Sequence, residues 1–145
     1  MKIALGSDHG GYELKKMIVE RLTSLGHTVD DLGCHSSDMV DYPVYAGKVA
    51  KAVISGDCVC GILICGTGIG MSIAANKISG IRAALCADCF SAKMAKEHNN
   101  ANIIAIGART TGPELAWMIV EAYLGSEFQH GIHDARVRML NELDE

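Results

Sequence analysis

Gly61-Ile-Leu-Ile-Cys-Gly-Thr-Gly-Ile-Gly-Met-Ser72 reads as an apolar strand that delivers a cysteine onto a glycine-rich turn opening a helix. Such a turn leaves several backbone N–H groups unpaired at the helix start, aimed at whatever binds there. Cys65 stands at the rim of the turn, with Thr67 two residues on. A thiol beside an anion cradle points to chemistry.

On either side of this stretch, short apolar runs alternate with amphipathic helical patterns. Lys2–Gly6 reads as a first strand. The helix after it keeps Leu14, Met17, Ile18, Leu22 and Leu25 at 3.6-residue spacing and stops at Gly26. His27–Leu32 is the second strand, and after a polar loop Pro43 suits the first turn of a helix running toward Ile54. Val59–Cys65 is the third strand and Ile69–Ile78 its helix. Ile81–Cys86, Ser91–His98 and Asn102–Ile106 follow as strand, helix and strand. Glu114–Leu124 and Ala135–Leu143 close the chain as helices separated by Gly125–Gly131.

This alternation, with strands too apolar to keep a wet face, predicts a mostly parallel five-stranded sheet covered by helices on both sides. The expected fold is a three-layer, doubly wound, Rossmann-like α/β sandwich, a single domain over residues 1–145. Ligands of such folds settle outside the carboxyl ends of the strands. The segments there are Ser7-Asp8-His9-Gly10-Gly11, Cys65–Gly70, Asp88 and Gly107-Ala-Arg109.

Composition excludes several classes. The 145 residues are 49% hydrophobic, yet no run reaches the ~18 consecutive apolar residues of a membrane span. The opening Met1-Lys-Ile-Ala-Leu lacks the long apolar stretch of a signal peptide, so a cytoplasmic location is expected. The net charge of -4, with Lys and Arg scattered, argues against a nucleic-acid surface. Six cysteines in such a chain read as buried thiols. Cys58 and Cys60 read as core residues sharing one strand face. Cys86-Ala-Asp-Cys89 has the spacing of a redox pair or half a zinc site, but no second pair completes a tetrahedral set.

A dinucleotide loop fails on detail. The G-x-G-x-x-G pattern wants glycine where Met71 stands, and it normally follows the first strand, not the third. That leaves a small anion, a phosphate or an oxyanion formed during reaction, as the guest of the turn.

Asp8-His-Gly-Gly11, Asp41-Tyr-Pro43, Ile64-Cys-Gly-Thr-Gly-Ile-Gly70, Ala75-Asn-Lys77, Gly80-Ile-Arg-Ala83 and Glu97-His-Asn99 occur in this order along the chain. Together they resemble the B-type ribose-5-phosphate isomerases of the RpiB/LacAB sugar-phosphate isomerase family, in register from Met1 to about Leu140. The resemblance implies an aldose–ketose isomerase that uses neither metal nor cofactor and moves a proton through a cis-enediol. It also implies a homodimer or dimer of dimers whose active sites draw on two subunits.

Aldose–ketose interconversion moves a proton between adjacent carbons, so one base and one oxyanion stabiliser suffice. Cys65 is the candidate base, since a thiol at a helix N-terminus is well placed for proton transfer near neutrality. Thr67 is expected to orient or polarise it, with backbone N–H groups of Gly68, Ile69, Gly70, Met71 and Ser72 facing the oxyanion and Gly66 completing the turn. The family pattern adds Asn99 for the enediolate oxygen, and His98 and Asp8 for opening of the furanose ring. It assigns the substrate phosphate to His9, Arg109 and Arg136, and adds Tyr42 to the binding site.

Structural readings stand beside these. A cysteine ending an apolar strand is often a buried structural thiol, His98 near a helix end complements the helix dipole, and His9, Tyr42 and Arg109 suit loop anchoring. His27 and His35 fit no pattern and are read as structural. The chain also departs from its family at Gly131-Ile-His-Asp-Ala-Arg136, where the usual G-R-H-x-x-R places a phosphate-binding arginine at Ile132. Losing one charge-assisted contact costs about 1.5–3 kcal/mol, roughly 10- to 150-fold in affinity. Ribose 5-phosphate held more weakly, another sugar phosphate such as allose or galactose 6-phosphate, and an unphosphorylated sugar all remain open. So does a non-catalytic sugar-phosphate-binding subunit, although mere binding needs no carbon-acid base.

Overall fold

The computed structural model describes residues 1–144; Glu145, the last residue of the expected domain, lies outside them. Strands β1 (Lys2–Ser7), β2 (Thr28–Asp31), β3 (Cys60–Cys65), β4 (Ala83–Leu85) and β5 (Ile103–Gly107) form one sheet. Their order is β2-β1-β3-β5-β4 and every pairing is parallel. Six α-helices accompany them among the described residues: α1 (Tyr12–Ser24), α2 (Tyr42–Ile54), α3 (Ile69–Ala75), α4 (Cys89–Glu97), α5 (Pro113–Leu124) and α6 (Ile132–Glu142).

Successive strand side chains point to opposite faces, so β3, covered on both, divides its residues between two cores. Cys60, Ile62 and Ile64 join Ile3, Leu5, Ile104 and Ile106 beneath α1, α4 and α5. Leu63 and Cys65 join Ala4, Ile103 and Ala105 beneath α2 and α3. The result is the expected three-layer sandwich. From β1 the chain turns outward to β2, and α2 then carries it back across to β3 on β1's other side. The loops after β1 and β3 therefore diverge, opening the crevice in which ligands of doubly wound folds sit.

Several boundaries differ from expectation for local reasons. Cys58 and Cys60 fall in opposite cores, because Cys58 precedes the strand and its alternation does not apply. Helix α3 stops at Ala75, where the Asn76 side chain turns to pair with both Ala83 N–H (2.8 Å) and Ala83 C=O (2.9 Å). Helix α4 starts at Cys89 because Asp88 caps it, accepting from Ser91 N–H at 2.6 Å. Helix α6 begins at Ile132, three residues early, and buries only Val137. Among the described residues no helix is long and apolar enough to cross a membrane.

Candidate active site

The turn after β3 is built around sulfur. Gly68 takes φ +77°, and its N–H donates to Cys65 Sγ at 3.1 Å. A side chain at Gly68 would be strained by that backbone conformation and would meet Leu85 Cδ1 at 2.6 Å. Ile69 N–H donates to Thr67 Oγ1 (3.3 Å), and Ser72 N–H to Gly68 C=O (3.0 Å). Of the N–H groups expected to face an oxyanion, those of Gly70 and Met71 are the ones left without a partner among the described residues. The Ser72 hydroxyl donates to Ile69 C=O at 2.8 Å, and the Met71 side chain is fully buried in the core. Both face their own helix or the interior. The expected contact between Thr67 and the thiol is replaced by the Gly68 N–H, since the Thr67 hydroxyl is engaged by Ile69 on the exposed side of the turn.

The loop after β1 closes one side of this turn. Asp8 N–H donates to Ile64 C=O (3.2 Å), while Asp8 Oδ1 accepts from Gly10 and Gly11 N–H at 2.9 and 3.2 Å. Its second carboxylate oxygen takes no part in this capping. His9 Nδ1 accepts from Val40 N–H at 3.2 Å, which places the ring proton on Nε2 and leaves that edge as a donor. Arg109 N–H donates to Gly66 C=O (2.9 Å), and its side chain lies over Gly66 and near Gly10, with Nη2 3.7 Å from a built Cβ at Gly10. Tyr42, in the first turn of α2, lays its ring on Gly70: a Cβ there would meet ring carbons at 2.7 Å. Asp8, His9, Tyr42, Cys65 to Met71 and Arg109 are thus gathered at the carboxyl end of the strands.

His98, Asn99 and Arg136 are elsewhere. Helix α4 runs back against the strand direction, so its C-terminus lies at the amino end of the strands. Gly61 N–H donates to Asn102 C=O at 2.9 Å, which sets the segment after α4 four residues from Cys65, about 13 Å at strand rise. His98 stacks on His133 with ring centroids 4.2 Å apart and planes within 13°. Partial burial, then the charges of His98 and Arg136, hold the His133 imidazole below its usual pKa. Asn99 and Arg136 line one shallow hollow with Met139, Leu140 and Leu143. Ile132, in place of the family arginine, opens α6 with 71% of its surface exposed.

Cys86 is the buried thiol expected, whereas Cys89, at the start of α4, is only half-buried. Cys86 is buried and donates to Ala84 C=O at 3.6 Å, and burial pushes its thiol up to about 11, away from the thiolate that redox or metal chemistry needs. Sequence reasoning missed Lys15, whose ammonium is fully buried on Asp31 and on Cys34 C=O (2.7 Å). That pair ties the start of the loop that carries Val40 and leads into α2 to α1. A lysine amid Leu14 and Ile18 on the buried side of a helix was its only signal.

The ribose/galactose isomerase family profile matches residues 3–140. Ribose-5-phosphate isomerase B of Escherichia coli is 49% identical over 144 residues, 99% of this chain and 97% of the relative. The structure of ribose-5-phosphate isomerase B of Clostridium thermocellum superposes with a TM-score of 0.98 at 53% identity, covering 99% of this chain and 97% of the other. The Mycoplasma genitalium enzyme of that name, solved with bound ribulose 5-phosphate, gives 0.95 at 38% identity, covering 99% and 95%. The chain belongs to the ribose/galactose isomerase family.

Proposed function

We propose that this chain is an aldose–ketose isomerase interconverting ribose 5-phosphate and ribulose 5-phosphate, acting as one domain over residues 1–145. Its relatives' names give the substrate class, and the crevice supplies a route. Cys65, as thiolate, removes the proton from carbon 2 of the open-chain aldose. The negative charge moves to the carbonyl oxygen O1, giving an enediolate; the hydroxyl proton passes from O2 to O1, and the thiol then returns its proton to carbon 1 as O2 becomes the ketose carbonyl. The free N–H groups of Gly70 and Met71 are placed to hold the developing oxyanion. Thr67 presents its hydroxyl to the substrate, and the uncommitted Asp8 oxygen accepts the anomeric hydroxyl proton as the furanose opens, while His98 from a second copy gives a proton to the departing ring oxygen. His9 Nε2–H and Arg109 take the phosphate, with Tyr42 walling the cleft over Gly70.

His98, Asn99 and Arg136 complete the site from a second copy of the chain. This accounts for their distance from Cys65 and for the apolar residues Ile132, Met139 and Leu140 of α6 and Leu143 at its end, all exposed beside them. The assembly is a homodimer, or a dimer of dimers, with two shared sites per pair. We place it in the cytoplasm, where a reducing environment suits six free cysteines.

The observation that carries this reading is the Gly68 N–H on Cys65 Sγ at 3.1 Å, an arrangement that fixes the sulfur at the crevice floor. A second reading, favoured by Ile132, is a related isomerase whose substrate presents less charge at its far end, such as a larger sugar phosphate or a free sugar. Proton NMR of ribose 5-phosphate, allose 6-phosphate, galactose 6-phosphate and their unphosphorylated sugars, each incubated with the protein in D2O, separates these. Fastest turnover of ribose 5-phosphate is expected; a strong preference for a free sugar would overturn the first reading, and binding without exchange into any sugar would favour the non-catalytic subunit.

A further inference from the structure

The motif Gly80-Ile-Arg-Ala83 has no task in the chemistry above, yet Arg82 makes a distinctive set of contacts. Its half-buried guanidinium donates from Nε to Asn99 C=O at 3.1 Å and to Asn100 C=O at 3.2 Å. Nη2 donates to Asn100 C=O at 2.9 Å, and Nη1 to Asn141 Oδ1 at 3.0 Å. The arginine is itself pinned, because its backbone N–H donates to Asn102 Oδ1 at 2.8 Å and its carbonyl accepts Asn102 N–H at 3.1 Å.

These contacts fall on a particular turn. Helix α4 ends with Asn100 at φ +46°, its N–H on Lys96 C=O at 3.1 Å, a left-handed termination that few residues other than glycine adopt readily. Lys96 Nζ donates to Asn100 Oδ1 at 3.2 Å and holds the side chain that tolerates this conformation. A helix ending so leaves its last carbonyls pointing off the end without intrahelical partners. Main-chain N–H groups of Ala101 (2.9 Å) and Asn100 answer those of Ala95 and Lys96, and Arg82 takes the next two exposed carbonyls past the helix end, those of Asn99 and Asn100. A planar fork bridging adjacent carbonyls fixes the rotation of the peptide between them as well as its position, which a single ammonium does not do.

We infer that Arg82 is a positioning residue for Asn99: by clamping the Asn99 and Asn100 carbonyls it sets where the Asn99 carboxamide stands toward the enediolate of the neighbouring subunit's site. This rests on the reading of Asn99 given under Proposed function. Arg82 touches no substrate in this scheme. Its effect falls on the step that Asn99 serves, stabilisation of charge present only at and after proton removal, so it acts on kcat and leaves KM nearly alone.

The test is a double-mutant cycle on the full-length protein, reading kcat, KM and Tm for Arg82→Lys, Asn99→Ala and the pair. Arg82→Lys is expected to lower kcat roughly 10- to 100-fold, the scale of an ångström-level misplacement, with KM little changed. In the Asn99→Ala background the same substitution is expected to change kcat by less than about 2-fold, since nothing remains to be positioned. If Asn99→Ala impairs kcat and Arg82→Lys then costs the same factor with or without Asn99, Arg82 supports the fold and not Asn99, and the inference is overturned alone. If Asn99→Ala leaves kcat intact, the reading of Asn99 falls and takes the inference with it. Should Arg82→Lys fail to fold, Asn141→Ala, which removes only the carboxamide steadying Nη1, runs the same cycle. It is expected to give a smaller loss of kcat that vanishes with Asn99 removed, and additivity there overturns the inference equally.

Discussion

Chains carrying Cys65→Ala are expected to be inactive and chains carrying Asn99→Ala strongly impaired but measurable, and the two are expected to recover activity when unfolded, mixed in equal amounts and refolded together. The geometry sets the magnitude. Asn102 pairs with Gly61, four residues before the end of β3, so about 13 Å of strand separates that level from Cys65, and Asn99 stands three residues before Asn102, in the turn that leaves α4 at that end. No side-chain rotation of an asparagine spans that gap within one subunit. In a twofold dimer with shared sites, random reassembly makes half the molecules hybrids. Each hybrid holds one site with both defects and one with neither. The mixture should therefore show about a quarter of wild-type turnover, from sites that are individually normal. The assay is steady-state isomerisation on the mixture, with native mass spectrometry to count hybrids. Hybrids present at the statistical ratio with no recovered activity would show that Cys65 and Asn99 do not serve one site across the interface.

Other substitutions test separate parts of the site. Gly70→Ala places a Cβ about 2.7 Å from the Tyr42 ring carbons, and because that ring is 40% exposed it can swing away. A raised KM with little loss of Tm is expected, and an unchanged KM would remove Tyr42 from the binding site. Ile132→Arg restores the family cation on an exposed helix start; KM for ribose 5-phosphate should fall by up to roughly 10- to 150-fold, with the gain shrinking as salt rises. No change at low salt would mean that another group already fills that role. Lys15→Met breaks the pair with Asp31 and strips Cys34 C=O of its donor. A loss of about 3 kcal/mol is expected in urea unfolding, the low end for a broken buried pair because Asp31 keeps 32% of its side chain exposed; a loss near zero would refute the clamp.

The sheet, its helices and the location of the crevice were legible because both periods are strong. The run Ile62-Leu-Ile64 is apolar without alternation, as a strand covered on both faces must be, and Leu14, Ile18 and Leu22 keep the helical spacing. Boundaries failed where a side chain decided them. Asn76 ends α3 by pairing with Ala83, and Asp88 starts α4 by capping it; neither act shows in hydrophobic pattern. The Cys65 turn was readable from its glycines, but not the division of labour among its N–H groups, which depends on Thr67 Oγ1 facing Ile69. The separation of His98 and Asn99 from Cys65 follows from topology. In a parallel sheet each connecting helix returns against the strands, so residues at a helix end and residues at a strand end occupy opposite ends of the strands. Lys15 and Arg82 gave the weakest signals, because each bonds to main-chain carbonyls distant in sequence, Cys34 in one case and Asn99 and Asn100 in the other.

Proton transfer by Cys65 is tested most directly by following ribose 5-phosphate in D2O by proton NMR, with wild-type protein and with Cys65→Ala. Wild-type protein is expected to interconvert aldose and ketose and to wash solvent deuterium into the carbon-bound positions that exchange through the enediol. The Cys65→Ala protein, with far-UV circular dichroism and Tm unchanged, is expected to do neither while still binding the sugar phosphate. Deuterium entering the sugar at the wild-type rate without this thiol would contradict the assignment of the base.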